Sequence, residues 1–577
     1  MSKRSSSNAA TNGNLLRRPI RRCFPLFILP TFLCFIIGFI WPFLQGIYLS
    51  FCNFNTPKDA TWVGIQNYVK GFKDPGFINA FKNTAAFAVV SIIVINILAF
   101  TLAYALTQKI KGSNLFRTVF FMPNLIGGVV LGYVWQLIFD AILRRYNTYL
   151  TSMKSGVTAG SIYDRNGVTL ASTTVSTDET GETVRTRTYA QDASVRAAVV
   201  HVVGDTRGNV KNAAESFMAE YLYGTNMSYA ERLKQVLSTG SLRGDDITLT
   251  LDSSLCAYAA SLFPQDKSGA IVVMNYKTGE IYALQSFPNY DPQSGKTVTV
   301  RQALNRATRW LSAPGSTFKV ITLAAALQSL PGAAESSYTC TGGVSFGEHQ
   351  RVVTDYGAAA HGTLTLKDAF MKSCNSTFAM LACQMGDKAL RKTAQSFGLD
   401  DAFTFRDLVV ENSAYASSSA ALLGADLAWT GAGQNQLAVT PLHMCMVAAA
   451  VANDGVMMEP RLLLRAVGAE GAERQTFEPA VYRTAMDAQT AATVREYMRA
   501  VVTGGTGRSA AVRGLTVCAK TGTAEIDTQE KDNAWFIGFI DDDAYPFAVC
   551  VAVENAGTGG AVAAPIAQKI FARLAGK

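Results

Sequence analysis

The sequence predicts three transmembrane α-helices followed by an extracytoplasmic α+β domain in which helices flank an antiparallel sheet. Two observations support this fold class. Three long runs without charged residues lie within the first 140 residues of the 577-residue chain. After residue 246, strand patterns give way to a helical block and then return, which is typical of an α+β domain. A small β/α subdomain is expected between these parts, at residues 143–243.

The charge-free runs cover residues 23–57, 83–108 and 118–139. Each is long enough for a helix of about 20 residues, the length that crosses the hydrocarbon core of a bilayer. We therefore predict spans near residues 24–50, 84–107 and 118–142, within a membrane segment over residues 1–142. A single run is also compatible with a buried core helix, but three runs separated by short polar loops favour a membrane segment.

Basic residues indicate the orientation of these spans. The N-terminal tail carries six Lys and Arg residues, and the loop between the second and third runs carries Lys109, Lys111 and Arg117. Because Lys and Arg accumulate on the cytoplasmic side of membranes, we expect a cytoplasmic N-terminus and an extracytoplasmic position for the chain after residue 143. Arg144 and Arg145 lie on the expected outer side and oppose this bias.

The net charge of +9 is distributed unevenly. Residues 1–145 hold 15 Lys and Arg against 3 Asp and Glu, whereas the remaining residues hold 37 against 40. The excess positive charge therefore belongs to the membrane segment and its tail, where it faces lipid. The rest of the chain is slightly acidic, which excludes nucleic acid as a partner.

The membrane segment resembles the first half of a sugar ABC-transporter permease over residues 15–140. The stretches that carry the resemblance are WVGIQNYVKGFKDPGFINAFKNTAAFAVV and LAYALTQKIKGSNLFRTVFFMPNLIGGVVLGYVWQLIF. The further spans and the ATPase-docking loop of such permeases are absent from the sequence, so the resemblance implies ancestry more than transport. Two origins stay open: a natural fusion, or the joining of two unrelated reading frames.

Ser316 and Lys319 form the first of three short motifs, Ser-Thr-Phe-Lys, which opens an apolar helix. The i, i+3 spacing puts the hydroxyl and the amine one turn apart on one helix face. A serine becomes a nucleophile when a neighbouring base takes its proton, and a lysine with a depressed pKa can be that base. The same residues also fit a helix N-cap followed by a surface lysine.

Ser373 and Asn375 form the second motif, after a predicted helix. A hydroxyl and an amide at this spacing can relay a proton and hold a substrate amide. We expect Cys374, between them, to pack as a small apolar group. A disulfide between Cys340 and Cys374 is an alternative outside the cell.

The third motif, Lys520-Thr521-Gly522-Thr523, lies in a predicted strand. A lysine and a threonine can bind a carboxylate, and a glycine on a strand lets a substrate backbone approach closely. A second Lys-Thr-Gly triplet at residues 277–279 falls in a predicted hairpin turn, where turn chemistry explains it.

The ordered set S-x-x-K, S-x-N and K-T-G is typical of penicillin-binding proteins and serine β-lactamases. With SIYDRNGVTLAS, SAPGSTFKVITLAAAL and CAKTGTAE, it makes residues 143–577 resemble a class B penicillin-binding protein. The resemblance implies a penicillin-binding/serine β-lactamase-like transpeptidase domain at 244–577 and a non-catalytic subdomain at 143–243. It further implies a D,D-transpeptidase in the bacterial cell membrane that cross-links peptidoglycan and binds penicillin.

The resemblance also assigns roles. Ser316 would attack the D-Ala-D-Ala carbonyl with Lys319 as base, and backbone N–H groups of Ser316 and Thr523 would form the oxyanion hole. Ser373 would pass a proton to the leaving amine, and Asn375 would hold the substrate amide. Lys520 and Thr521 would bind the terminal carboxylate. The predicted catalytic residues are Ser316, Lys319, Ser373, Asn375 and Lys520, and the predicted substrate-binding residues are Thr521, Gly522 and Thr523.

The expected partners are peptidoglycan stem peptides, β-lactams and membrane lipid, with cell-division or elongation proteins as further candidates. A serine β-lactamase and a β-lactam sensor stay open, although the zinc-protease H-E-x-x-H of such sensors is missing from the sequence. No cofactor or metal is expected, since the ten Cys form no zinc spacing and His201, His349, His361 and His443 are scattered along the chain.

Overall fold

The computed structural model describes residues 35–53, 61–73, 75–107, 157–179, 181, 183–346, 351–525 and 531–577. The chain divides into two compact units, Met1–Gln136 and Leu137–Lys577, which are described separately. The division falls close to the boundary predicted after residue 142.

The described residues of the first unit form helices and one short antiparallel strand pair. Its elements are a π-helical turn over Ile36–Ile40, α1 over Trp41–Ser50, β1 over Cys52–Asn53, β2 over Thr61–Trp62, α2 over Gln66–Lys73 and α3 over Pro75–Thr107.

Asn67 ties α2 to the end of α1. Its Nδ2 donates hydrogen bonds to the carbonyl oxygens of Ser50 and Cys52, at 3.1 and 2.8 Å. Within the described ranges, no helix is apolar enough over a sufficient length to cross a membrane. The start of the first predicted span and the whole of the third, residues 118–142, lie outside the described residues.

The described strands of the second unit form a five-stranded sheet, a six-stranded sheet and four strand pairs. In chain order they are β3 Val157–Thr158, β4 Ile162–Tyr163, β5 Thr169–Thr177, β6 Thr183–Tyr189, β7 Leu242–Arg243, β8 Asp246–Leu249, β9 Gly269–Asn275, β10 Ile281–Phe287, β11 Ser337–Cys340, β12 Gly343–Phe346, β13 Arg351–Thr354, β14 Gly362–Thr365, β15 Val456–Met458, β16 Leu463–Val467, β17 Glu473–Thr476, β18 Val481–Thr484, β19 Val517–Ala524, β20 Asn533–Ile540 and β21 Phe547–Val553.

Many helices of this unit begin at a polar N-cap, because a side-chain oxygen satisfies a free backbone N–H of the first turn; Asp192, Asp252, Thr440 and Asp487 do so. The α-helices are α4 Ala193–Val203, α5 Ala214–Phe217, α6 Ala219–Leu222, α7 Tyr229–Thr239, α8 Ser253–Leu262, α9 Val300–Ala303, α10 Arg306–Arg309, α11 Lys319–Ser329, α12 Leu366–Met371, α13 Asn375–Ser396, α14 Gly424–Ala432, α15 Pro441–Ala452, α16 Ala488–Thr503 and α17 Ala563–Leu574.

The five-stranded sheet is antiparallel throughout and has the order β10-β9-β21-β20-β19. Every residue of β9 and β20 is buried, so helices must cover both faces of the sheet. Helices α15 and α17 both contact β20 and β21. This arrangement confirms the predicted α+β class and leaves β19 at one edge of the sheet.

The six-stranded sheet has the order β17-β16-β8-β4-β5-β6. Its strands come from residues 162–189, 246–249 and 463–476. The boundary predicted after residue 243 therefore separates chain segments that belong to one sheet. Strand β16 pairs with β8 because Leu463 and Ala466 are buried opposite Leu249 and Ile247.

A close backbone contact positions the turn that precedes α11. Gly433 ends α14 with a left-handed φ of +101°, and a Cβ at this position would lie 1.8 Å from the carbonyl oxygen of Gly315. Only glycine allows the end of α14 to approach this turn so closely.

We expect Gly433→Ala to lower the free energy of unfolding by roughly 1–3 kcal/mol more than Gly557→Ala, since it forces two backbones apart. Gly557 has a φ of +102° but no neighbouring atom within 4 Å of an added Cβ, so it controls for the backbone conformation alone. Urea unfolding of the full chain in detergent measures both variants. Equal losses in the two variants would show that the contact is unimportant.

Candidate active site

Ser316 lies in a 3₁₀ turn, Gly315–Phe318, which leads directly into α11. The α-helix itself begins at Lys319, one turn later than the sequence predicts. Gly315 has a φ of +54°, and a Cβ on it would lie 2.6 Å from the carbonyl oxygen of Thr523. The turn is therefore pressed against β19, which brings the first and third motifs together.

Lys319 is fully buried and makes three short contacts. Its Nζ lies 2.9 Å from Oγ of Ser316, 2.7 Å from the carbonyl oxygen of Ser373 and 2.5 Å from Oδ1 of Asn375. A neutral amine has two N–H groups and one lone pair. The two acceptors, the Ser373 carbonyl and the Asn375 amide oxygen, take the N–H groups and leave the lone pair for the Ser316 hydroxyl.

Burial disfavours the charged form of this amine. The pKa of Lys319 is lowered to about 7, because desolvation outweighs the attraction of nearby acidic groups. A substantial fraction of Lys319 is therefore neutral at physiological pH and able to accept a proton. This is the state that a general base requires.

Ser373 and Asn375 flank the N-cap of α13, which is Cys374. Ser373 adopts a left-handed conformation with φ +62°, unusual for a residue with a Cβ. Asn375 donates from Nδ2 to the carbonyl oxygen of Thr354 at 2.8 Å, so both ends of its amide are engaged within the protein. Because Nδ2 carries two N–H donors, it could donate to a substrate carbonyl while it keeps its bond to Thr354.

The carboxylate of Asp355 fixes the start of α13. It accepts hydrogen bonds from the backbone N–H groups of Asn375, at 2.5 Å, and Ser376, at 3.3 Å, and from the hydroxyl of Ser376. Negative charge at a helix N-terminus is stabilised by the helix dipole. Asp355 is thus a positioning residue that the sequence analysis did not identify.

Lys520, on β19, is fully buried like Lys319. Its Nζ donates to Oγ of Ser373 at 2.8 Å and to the carbonyl oxygen of Thr521 at 2.9 Å. Desolvation lowers the pKa of Lys520 well below its usual value, and repulsion from Lys319 lowers it further. Ser373 therefore joins the two lysines, through its carbonyl to one and its hydroxyl to the other.

The remaining residues of the third motif have different surroundings. Oγ1 of Thr521 lies 2.6 Å from Oγ1 of Thr506, in the segment that follows α16. A Cβ on Gly522 would lie 2.8 Å from the carbonyl oxygen of Pro314 and 2.9 Å from Cγ2 of Thr317. The glycine thus makes room for the turn that carries Ser316, whereas the sequence argument expected it to make room for substrate.

These motifs meet in a cleft of about 580 Å³. Ser316, Ser373, Asn375, Thr521 and Thr523 line it, while the amines of Lys319 and Lys520 lie buried behind these residues. The cleft walls also include residues without a motif that sequence reasoning could use: Tyr356, His361, Trp429, Gln434, Thr506 and Thr558.

Beside the cleft, the structure brings four metal-binding side chains together: Cys340, Asp355, His361 and Cys374. The scattered histidines of the sequence predict no metal site. The fold nevertheless places His361 beside Cys340, because β11 pairs with β14. Both cysteines are free thiols.

Known proteins share the sequence features that build this site. A family model of the penicillin binding protein transpeptidase domain matches residues 269–572, more than half of the chain. The chain belongs to this family. The resemblance inferred from the three motifs is thereby confirmed. Seven of the eight predicted site residues contact one another or line one cleft, and Gly522 is the exception.

The relatives include the peptidoglycan D,D-transpeptidase PbpA of Mycolicibacterium smegmatis, 35% identical over 331 residues that cover 53% of this chain and 66% of the relative. This chain thus spans just under two thirds of that relative. The penicillin G acyl-enzyme complex of penicillin-binding protein A from M. tuberculosis has a TM-score of 0.65 and 28% identity, covering 73% of this chain and 100% of that one.

A different relative matches the N-terminal part. The probable starch degradation products transport system permease protein AmyD of Thermoanaerobacterium thermosulfurigenes is 43% identical over 119 residues. The match covers 21% of this chain and 41% of the permease. The permease-like character of the first unit is therefore supported over a short segment.

The strained backbone at Ser373 generates a prediction about stability. Ser373→Gly and Ser373→Ala both remove the hydroxyl that accepts from Lys520, but only glycine relieves the left-handed conformation. We expect the glycine variant to exceed the alanine variant in free energy of unfolding by about 1 kcal/mol. Urea unfolding of the two full-length variants measures this difference, and an alanine variant as stable as the glycine variant would contradict it.

Proposed function

We propose that this chain is a membrane-anchored D,D-transpeptidase that cross-links peptidoglycan stem peptides through an acyl-enzyme on Ser316. One observation carries the proposal. The Ser316 hydroxyl lies 2.9 Å from a buried amine whose two other contacts are acceptors. In its neutral form, Lys319 would use its two N–H groups for those acceptors and direct its lone pair at the serine proton.

In the first step, Oγ of Ser316 attacks the carbonyl carbon of the penultimate D-Ala while its proton passes to Nζ of Lys319. The carbonyl oxygen becomes an oxyanion, which the backbone N–H groups of Ser316 and Thr523 stabilise. The C–N bond to the terminal D-Ala then breaks, and its amine leaves with a proton delivered through Ser373. An ester between Ser316 and the donor peptide remains.

In the second step, an amine of a neighbouring stem peptide attacks this ester. Lys319 is neutral again, because its proton has left with the D-Ala amine. It takes a proton from the attacking amine and passes it to the Ser316 oxygen as the new amide bond forms and the ester bond breaks. The hydrogen bond between Lys520 and the Ser373 hydroxyl supports a role of this hydroxyl in moving protons, while the Ser373 carbonyl oxygen holds the Lys319 amine in place. Neither step requires a cofactor.

The edge position of β19 supports the mode of substrate binding. An extended peptide can add to an exposed sheet edge through backbone hydrogen bonds, with alternate side chains entering pockets. β19 ends the five-stranded sheet and carries Thr521 and Thr523, whose side chains reach the cleft. The Thr521 and Thr523 hydroxyls, with the Lys520 amine behind them, would bind the terminal carboxylate.

The proposal places the catalytic unit on the outer side of the bacterial cell membrane, where peptidoglycan lies. It rests on the three charge-free runs and the basic tail of the sequence, which favour a cytoplasmic N-terminus and an odd number of spans. Amplification of genomic DNA across codons 130–160 tests whether the permease-like and catalytic parts belong to one gene. A product of the expected length supports a natural fusion, and no product indicates two joined reading frames.

Ser316→Ala should abolish labelling of the full chain by a fluorescent penicillin, because the β-lactam carbonyl has no nucleophile left to acylate. Ser509→Ala, which removes another serine hydroxyl that lines the cleft, should label like the wild type. Gel fluorescence after detergent solubilisation measures both. Labelling of Ser316→Ala at the wild-type level would refute the acyl-enzyme proposal, and rapid hydrolysis of penicillin by the wild type would favour a β-lactamase.

Lys319→Ala should slow acylation by penicillin about 10²–10⁴-fold, the range expected when a general base is removed. Lys367→Ala is the matched control, since this lysine is exposed and paired with Glu496. Stopped-flow acylation rates distinguish the two variants, with melting temperatures to verify folding. A folded Lys319→Ala variant that acylates at the wild-type rate would exclude Lys319 as the base.

A further inference from the structure

Four side chains from separate segments converge beside the cleft. Cys340 ends β11, Asp355 follows β13, His361 precedes β14 and Cys374 caps α13. Their donor atoms all lie within 4.8 Å of one another. Cys340, Asp355 and Cys374 are buried, and His361 is half-buried at the cleft wall. This group is called the Cys₂-His-Asp cluster below.

The separations among three of the four side chains, taken to either oxygen of Asp355, are close to the edges of a metal tetrahedron. Sγ of Cys340 lies 3.2 Å from Oδ2 of Asp355 and 3.3 Å from Nδ1 of His361, and Nδ1 of His361 lies 3.8 Å from Oδ1 of Asp355. Zinc bonds of about 2.0 Å to oxygen or nitrogen and about 2.3 Å to sulfur place neighbouring ligand atoms roughly 3.3–3.8 Å apart in a tetrahedron.

The chemistry of the donors narrows the identity of the ion. The possible ligands are two thiols, an imidazole and one carboxylate. Sulfur and nitrogen ligands favour Zn²⁺ over Mg²⁺ and Ca²⁺, because Mg²⁺ and Ca²⁺ prefer oxygen ligands. Such closed four-ligand sets are typical of structural zinc sites. The position of His361 at the cleft wall provides a path for the ion to enter.

We propose that the Cys₂-His-Asp cluster binds one Zn²⁺ ion that fixes the catalytic S-x-N loop. The ion would join the β11–β14 strand pair to the N-terminus of α13 through Cys374. Because Ser373 and Asn375 flank Cys374, a Zn–S bond at Cys374 would hold in place both acceptors of the Lys319 amine. The four ligands are positioning residues; none of them touches the reacting atoms.

The hydrogen bonds of Asp355 are consistent with this role. Its two carboxylate oxygens accept hydrogen bonds from the backbone N–H groups of Asn375 and Ser376. Metal-ligating carboxylates are usually held by such outer hydrogen bonds, which fix their orientation. A zinc ion would thus be linked to α13 twice, through Cys374 directly and through Asp355 by hydrogen bonds.

The test uses the full chain, purified in detergent under reducing conditions, stripped with a chelator and reloaded with Zn²⁺ or Co²⁺. We expect about one zinc per chain by elemental analysis, and a thiolate-to-cobalt charge-transfer absorption in the cobalt form. His361→Ala and Cys340→Ala should lose most of the zinc and the absorption band. Cys383→Ala, a half-buried free cysteine on α13 outside the cluster, should keep both.

The readout is independent of the transpeptidase proposal, because Ser316→Ala should bind zinc like the wild type even though it cannot be acylated. Reloading zinc into the stripped wild type should raise its rate of penicillin acylation, and zinc should have no such effect on His361→Ala. Zinc content equal in wild type and His361→Ala would overturn the proposal. So would a peptide mass showing Cys340 and Cys374 joined with the loss of two hydrogens in the reduced preparation.

Discussion

The burial of two lysine amines around a single serine is the constraint on which the active site depends. Lys319 and Lys520 are both fully buried, and Ser373 contacts one through its carbonyl and the other through its hydroxyl. Two ammonium ions that contact the same buried residue repel each other, and burial disfavours the charged form of each. The arrangement is stable because hydrogen-bond acceptors surround both amines, and it favours a neutral Lys319 at the side of Ser316.

Close backbone packing makes this burial achievable. The turn that carries Ser316 lies between the end of α14 and β19, at contacts where Gly433, Gly315 and Gly522 leave no room for a Cβ. The helix N-terminus at Asn375 is held from the opposite side by Asp355. The nucleophile and the base, three residues apart, therefore share one packed interface with the S-x-N loop and β19, which are distant from them in the chain.

The sequence predicted the parts of this site that leave local or ordered patterns. The order of the three motifs identified the family, and the hairpin between β9 and β10 was evident from Asn275 to Gly279. Long-range contacts left no such signal. Thr506 stands in a glycine-rich segment whose meaning depends on Thr521, and His361 gains significance only once β11 pairs with β14. The contact of Gly522 with the turn at Pro314 also left no sequence signal, and its predicted contact with substrate stays a prediction.

The pairing of β16 with β8 shows the same limit at the level of domains. Two strands from residues 463–476 extend a sheet that otherwise comes from residues 162–249, so the chain returns to a subdomain it had left. Alternation of apolar residues predicts that such segments are strands, but it does not specify their partners. The predicted membrane segment is the converse case, because the observations that favour it are compositional and lie in the sequence itself.

The protonation state of Lys319 is the central claim, and the pH dependence of Ser316 acylation tests it most directly. The second-order rate constant for acylation of Ser316 by penicillin should be measured in the wild type and in Lys319→Ala across roughly pH 5 to 9, a range that includes the pKa of Lys319. A lysine with a pKa of about 7 is protonated and inactive in acid, so the wild-type rate should rise with pH and level off above about 7, while the variant should show no such rise. A wild-type rate that is independent of pH, or an identical profile in the variant, would contradict the account.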